Sequence, residues 1–384
     1  MKNWKSIFLI AFIVGACKKP YNPPAITGNG GYLVVEGVIN SGSDSTTIKL
    51  SKTVNVASGI TANPVLNAVV AVVSDQNAIF PLTETGNGNY VTVGLNLDNS
   101  RTYRLSIKTP DNKQYQSDLA PVIVSPPIDS VGYNIINTAA ETGVQIYANT
   151  HDPSNATKYF RWDYSEAWAF HAKYPSYWVS NGTKIVIRLQ AQDITVCYAN
   201  DVSSTIVLGS SAKLKQDVIY QNPIIFIPST SEKVGNEYSI LLRQYALTAD
   251  AYNFWINLKK NTEQLGSIFD AQPSQLEGNI HCITNPAEPV IGYVSVCAVA
   301  SKRLIISNAK LPGWAPDYPY SCELDTDKTP YSIYNDLVFS SQTNIPVGPP
   351  PAAGATSSPF YTYSSRNCVD CTIRGTKTEP AFFK

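Results

Sequence analysis

The stretch Tyr32-Leu-Val-Val-Glu-Gly-Val-Ile39, followed by Asn40-Ser-Gly-Ser-Asp44 and then Thr46-Thr-Ile-Lys-Leu50, decides the fold class. Apolar and small residues alternate in the first run. The middle five residues carry turn chemistry, and the last run alternates again with period two. This strand–turn–strand pattern continues through Ala68–Val73, Ala78–Leu82, Tyr90–Val93 and Tyr103–Lys108, punctuated by Gly86-Asn-Gly-Asn89 and Thr109-Pro-Asp-Asn-Lys113. Short strands recurring at this spacing predict an immunoglobulin- or transthyretin-like β-sandwich over residues 31–122. Pro121, Pro126 and Pro127 mark a boundary.

Residues 127–384 read as a larger, second β-rich domain. Gly143–Asn149, Tyr159–Tyr164, Lys184–Val196, Ile224–Ile227, Tyr238–Tyr245, Gly292–Ala298 and Arg303–Ile306 are rich in β-branched and aromatic side chains. One segment breaks the period. Residues 248–265 predict a helix, with Thr248 as N-cap, Asp250 in the first turn and Gly266 as the stop. Tyr252, Trp255, Leu258 and Leu265 fall at helical spacing and form the expected packing face. Residues 307–366 hold little periodicity, and the proline-rich Asn344–Pro359 reads as loop.

The N-terminus supplies an address. Lys2 and Lys5 precede Ile7–Val14, an uncharged run too short to span a bilayer, so residues 1–16 read as a signal peptide. Ile13-Val-Gly-Ala-Cys17 has the apolar-small-small-Cys order of a bacterial lipobox, which makes Cys17 the lipidated first residue. The plain alternative is an ordinary cleaved signal with an incidental cysteine. Residues 17–30, with Pro20, Pro23, Pro24, Gly28 and Gly30, read as anchor and tether. No later apolar run reaches membrane-spanning length, so attachment is expected through lipid alone. The chain has 29 basic and 29 acidic residues, and only 15% of it is charged, which gives no field to attract nucleic acid.

Besides Cys17 there are six cysteines: Cys197, Cys282, Cys297, Cys322, Cys368 and Cys371. An even number in an exported chain favours disulfides. Cys282 and Cys297 flank the Asn285-Pro-Ala-Glu-Pro289 turn and are the preferred pair. The other four form two bridges in an order the sequence leaves open. Cys368-Val-Asp-Cys371 has the spacing of zinc and redox motifs, but no second ligand pair and no following helix accompany it. Two cysteines so close are expected to reach different distant partners and staple the tail. No metal or cofactor is implied.

No catalytic constellation stands out. His151, His171 and His281 are isolated, and neither a Gly-x-Ser-x-Gly elbow nor a glycine-rich phosphate loop occurs. Asp163 and Glu166 could be imagined as a glycosidase pair, but three residues apart on a strand they need not share a face. The densest aromatic cluster runs from Tyr159 to Trp178. Phe160, Trp162 and Tyr164 read as one core-facing strand face. Trp168, Phe170, Tyr174, Tyr177 and Trp178 form a candidate binding surface for a partner or glycan, against the alternative that they serve structure.

Several of these stretches resemble one family. Tyr32-Leu-Val-Val-Glu-Gly37, Tyr159-Phe-Arg-Trp-Asp-Tyr-Ser-Glu166, Gly266-Ser-Ile-Phe-Asp-Ala-Gln-Pro-Ser-Gln-Leu-Glu-Gly-Asn279, Val290-Ile-Gly-Tyr293 and the tail Cys368-Val-Asp-Cys-Thr372 with Glu379-Pro-Ala-Phe382 are similar to domain-of-unknown-function family 4249 of Bacteroidota lipoproteins. The resemblance covers essentially the whole mature chain. The family's tail commonly closes on Pro-x-Phe-Trp, and here it is Pro380-Ala-Phe-Phe383. Members often lie beside genes for TonB-dependent outer-membrane transporters, which implies an accessory role in uptake, and the family brings no catalytic residues. The expectation is therefore a non-enzymatic outer-membrane lipoprotein that binds a ligand or a TonB-dependent transporter. The alternatives are a structural envelope lipoprotein and a glycan or peptide hydrolase. Surface-exported lipoproteins of this phylum often carry acidic residues after the lipidated cysteine. Lys18-Lys19 departs from that, so the cell surface and the periplasmic face both stay open.

Overall fold

Alternation along each strand sets which side chains meet. In a computed structural model, which describes residues 31–54, 63–180, 185–263, 278–326, 343–348 and 362–384, the chain is mainly β. Eight strands come from the first third: β1 (Leu33–Asn40), β2 (Ser45–Lys52), β3 (Val69–Ser74), β4 (Ile79–Gly86), β5 (Asn89–Val93), β6 (Thr102–Lys108), β7 (Gln114–Ser117) and β8 (Ala120–Val124). The β1–β2 turn forms as its residues dictate: Asn40 Oδ1 accepts from the Gly42 amide at 3.0 Å, and Thr46 Oγ1 from the Asn40 amide at 2.9 Å. Thr46, Ile48 and Leu50 on β2 then point inward while their neighbours face water.

The middle of the chain supplies β9 (Ile128–Asn137), β10 (Thr142–His151), β11 (Tyr159–His171), β12 (Trp178–Ser180), β13 (Ile185–Ile187), β14 (Val196–Val202), β15 (Val207–Ser210), β16 (Val218–Pro228) and β17 (Glu237–Leu247). Helix α1 (Ala249–Glu263) follows, then β18 (Ile280–Cys282), β19 (Val290–Ile291) and β20 (Val296–Ser307). A sheet in the order β14-β11-β17-β20 packs against the β16-β10-β9 sheet. Phe160, Trp162, Val144, Ile146, Ile224, Tyr238, Ile240 and Leu242 fill the space between them. Trp162 is the key to that core. Its indole donates to Gln244 Oε1 at 2.9 Å, and the Gln244 amide donates to the Pro126 carbonyl and to Thr150 Oγ1. Every polar atom of this buried set is therefore paired.

The two lobes are not consecutive in sequence. Residues 31–122 alone do not complete the first lobe: β18 pairs with β7, β19 with β1, and the start of β20 lies parallel to both β1 and β8. Pairings run β1-β2-β5-β4-β3-β6-β8-β20 and back to β1, enclosing one core that includes Leu33, Ile48, Tyr90, Leu105 and Tyr115. The far half of β20 pairs with β17 of the second lobe, so one strand runs through both. Gly292 makes this return possible. It sits at φ +141°, and a Cβ there would lie 2.3 Å from the Val35 carbonyl oxygen.

Disulfides join Cys197 to Cys371 and Cys322 to Cys368, so the two tail cysteines reach different partners. The preferred Cys282–Cys297 pair does not form, and both thiols are free and buried. Their intervening segment is not a hairpin: Cys282 packs in the first lobe's core opposite Tyr115, whereas Cys297 sits opposite Asn40 and Ile123 in a separate cluster under α1. Burial pushes the Cys297 thiol up to about 12.

The helix starts as expected, with Thr248 Oγ1 accepting from the Ala251 amide at 3.1 Å. Its most buried residues are Ala251 and Phe254, while Tyr252, Trp255 and Leu258 are half-buried. The aromatic stripe packs on the sheet as expected, Tyr252 and Trp255 lying against the cluster of Tyr245, Leu247 and Cys297, and Trp255 and Leu258 also wall a cleft. Short strands β21 (Asp325–Thr326), β22 (Asn344–Pro346) and β23 (Thr362–Ser365) form a small sheet, so the expected loop Asn344–Pro359 begins as strand. The rest of that loop beyond residue 348, Cys17 with its signal and tether, Leu265 and the Gly266-to-Glu277 block lie outside the described residues.

Candidate functional site

Strand geometry builds a charged floor between the lobes. On β11 the even residues Phe160, Trp162 and Tyr164 face the core, so Arg161 and Asp163 face the other way. On β17 the same rule sends Arg243 and Tyr245 outward while Leu242 and Gln244 point in. The register sets Arg161 opposite Tyr245 and Asp163 opposite Arg243, with Val299 and Ser301 of β20 in the next row. Above this floor lie Trp255 and Leu258 of α1, residues 202–206, the outer face of β1 and Tyr293. Together they enclose a cleft of about 1030 Å³. That is the size of a small-molecule site, and its walls come from both lobes and the helix.

The guanidinium carbon of Arg161 lies against two rings, 4.4 Å from the centroid of Tyr245 and 4.4 Å from that of Trp255. Among the described residues its nearest carboxylate, Asp163, is 3.6 Å away and already engaged, since Arg243 Nε donates to it at 2.6 Å. Arg243 also donates to Ser165 at 2.9 Å. Arg161 Nε is buried without a hydrogen-bond partner among the described residues, a cost of about 1–3 kcal/mol. Burial, with Asp163 next in weight, raises the Tyr245 hydroxyl well above its ordinary value and keeps it a donor. Burial lowers the Arg243 value, but Asp163 and Tyr245 together outweigh it and leave the guanidinium more firmly charged than usual. Glu36 and Asp44 stand at the exposed rim, Glu36 beside Lys49 at 3.6 Å.

The expected aromatic binding surface does not assemble. Trp168 and Phe170 continue β11 and are 8% and 1% exposed, because the strand runs on to His171 instead of breaking into a loop. Tyr174 packs by the Cys322–Cys368 bridge and donates to the Cys322 carbonyl at 3.0 Å. Trp178 is half-buried on β12, and Tyr177 alone of the five is exposed. Asp163 and Glu166 point to opposite faces of β11. Glu166 is buried, with Lys233 at 2.7 Å and the Tyr238 hydroxyl at 2.6 Å, which rules out a glycosidase pair. His151 and His281 lie beside Asp129 and Asp118 in separate places, and His171 is exposed.

The sequence alone does not single out Arg161, Arg243 or Tyr245, and it marks Trp255 only as part of a packing face. A signal was present: Arg161-Trp-Asp163 and Arg243-Gln-Tyr245 both place charged or hydroxylated side chains opposite a buried strand face.

The family described as Domain of unknown function (DUF4249) matches residues 18–303 of the chain. The chain belongs to this family. The DUF4249 match takes in every residue of the charged floor and ends at Arg303 on β20. The matched range does not extend to the tail with Cys368 and Cys371. No protein with a curated description matches the chain. Among the described residues no three His, Cys, Asp or Glu side chains converge as metal ligands do, and no helix is long and apolar enough to cross a membrane.

Proposed function

We propose that the protein is a non-enzymatic outer-membrane lipoprotein that captures a ligand in the cleft between its lobes and serves a TonB-dependent transporter as an accessory. The observation that carries the binding role is the cleft itself, walled by β1, β11, β17, β20 and α1 and floored by arginines and aromatic rings. The carboxylates best suited to hydrolysis by sequence, Asp163 and Glu166, are each held in an ion pair on opposite faces, and this supports binding over turnover. The lipid address rests on Lys2, Lys5, the short apolar run and Cys17. The transporter rests on the genomic setting that the family resemblance implies.

Two measurements test this reading. Labelling with a fatty-acid probe in cells is expected to mark the wild-type chain and not Cys17→Ala. Purification of the full chain from native membranes is expected to bring an outer-membrane transporter with it. Label retained by Cys17→Ala would overturn the anchor, and recovery without any transporter would overturn the accessory role.

A further inference from the structure

We infer that the cleft takes a small organic anion whose carboxylate is held at Arg161. The inference deepens the reading of the cleft as a binding site and depends on it. Its ground is a charge imbalance. Among the described residues two guanidinium groups, Arg161 and Arg243, share one carboxylate, and Arg243 holds that carboxylate at 2.6 Å while Arg161 stands 3.6 Å off. The Arg161 side chain is only 15% exposed, so its charge is largely cut off from water. A desolvated cation without a close counter-ion is costly unless an anion completes it. Glu36 and Asp44 do not complete it, since both stand at the exposed rim.

Contact with the Tyr245 and Trp255 rings adds geometry to charge. Both rings crowd the guanidinium carbon, and a planar carboxylate that meets the guanidinium edge forms paired N–H···O bonds. Lysine could not use that arrangement in the same way. The remaining walls argue for an organic skeleton. Phe254, Trp255, Leu258 and Tyr293 offer apolar and aromatic surface, and the volume exceeds what an inorganic ion needs. The Tyr245 hydroxyl and Ser301 are further polar groups on the floor for orienting such a molecule.

The test compares acids with uncharged partners of the same skeleton on the full chain: benzoate with benzamide, and galacturonate with galactose. Binding is read at millimolar concentration by saturation-transfer NMR and tryptophan fluorescence. At least one acid is expected to bind about tenfold or more tightly than its neutral partner. Arg161→Gln is expected to abolish that preference, and Arg161→Lys to restore part of it. The acid–neutral comparison on the wild-type chain needs no variant and so stands even if Arg161→Gln misfolds. Equal binding of acid and neutral partners, or an acid preference that survives in folded Arg161→Gln, would overturn the inference and leave the binding cleft standing. No saturable binding from either skeleton would overturn both.

Discussion

The β11–β17 sheet shows two faces made from the same strands by the same alternation, and they differ in how their polar groups are settled. On the inner face Trp162, Gln244 and Thr150 form a closed set in which each buried donor and acceptor has a partner. On the cleft face Arg161 keeps an Nε with no partner among the described residues, and two cations share Asp163. Buried polar groups that are fully satisfied hold a fold together, whereas groups left unsatisfied beside a cavity are costly to folding and useful for recognition. The inner face reads as structure and the cleft face as function.

Substitutions can break that contrast. The largest effect is expected on the inner face: Trp162→Ala removes a fully buried indole and orphans Gln244, and should lower unfolding stability by about 3–5 kcal/mol in denaturant melts. A similar loss from any cleft-face substitution would blur the distinction.

The turn that feeds β11 should show the next effect. Burial pushes the Asp152 carboxyl up, but hydrogen bonds from Ser154 and Thr157 outweigh it and hold the group down at about 2. A carboxyl depressed in the folded state stabilises at pH above its unfolded value and loses that contribution as pH falls through the folded one. Stability of about 2 kcal/mol should therefore disappear between pH 4 and pH 2, and Asp152→Asn should lack that part of the acid transition. An acid profile unchanged in Asp152→Asn would remove Asp152 from the account.

A smaller loss is expected on the cleft face. Arg243 is 29% exposed, so its pair with Asp163 is partly screened, and Arg243→Gln should cost about 1 kcal/mol in the same melts.

Part of this contrast was legible in the sequence. Phe160, Trp162 and Tyr164 announce a buried strand face by period two, and Thr248 with Asp250 announces the start of α1. The cleft face was not legible. Arg161 and Asp163 show the pattern of any solvated strand face, because period two separates inside from outside and cannot tell open water from a cleft. What encloses them comes from Tyr245 across the sheet and Trp255 on the helix, and local pattern carries no trace of that meeting. The return of Ile280–Cys282 and Val290–Ile291 to the first lobe was hidden for a similar reason. Runs so short do not say which edge they join, and that is also why Cys282 and Cys297 looked like partners across a turn.

The smallest expected effect tests the central claim most directly. If Arg161 serves a ligand and not the fold, replacing it with an apolar side chain of similar length should remove an unsatisfied buried donor without harm. Denaturant unfolding of ligand-free Arg161→Met is predicted to give a stability within about 1 kcal/mol of the wild-type chain, or above it. A loss of about 3 kcal/mol or more, comparable to Trp162→Ala, would place Arg161 among the structural residues and contradict the account.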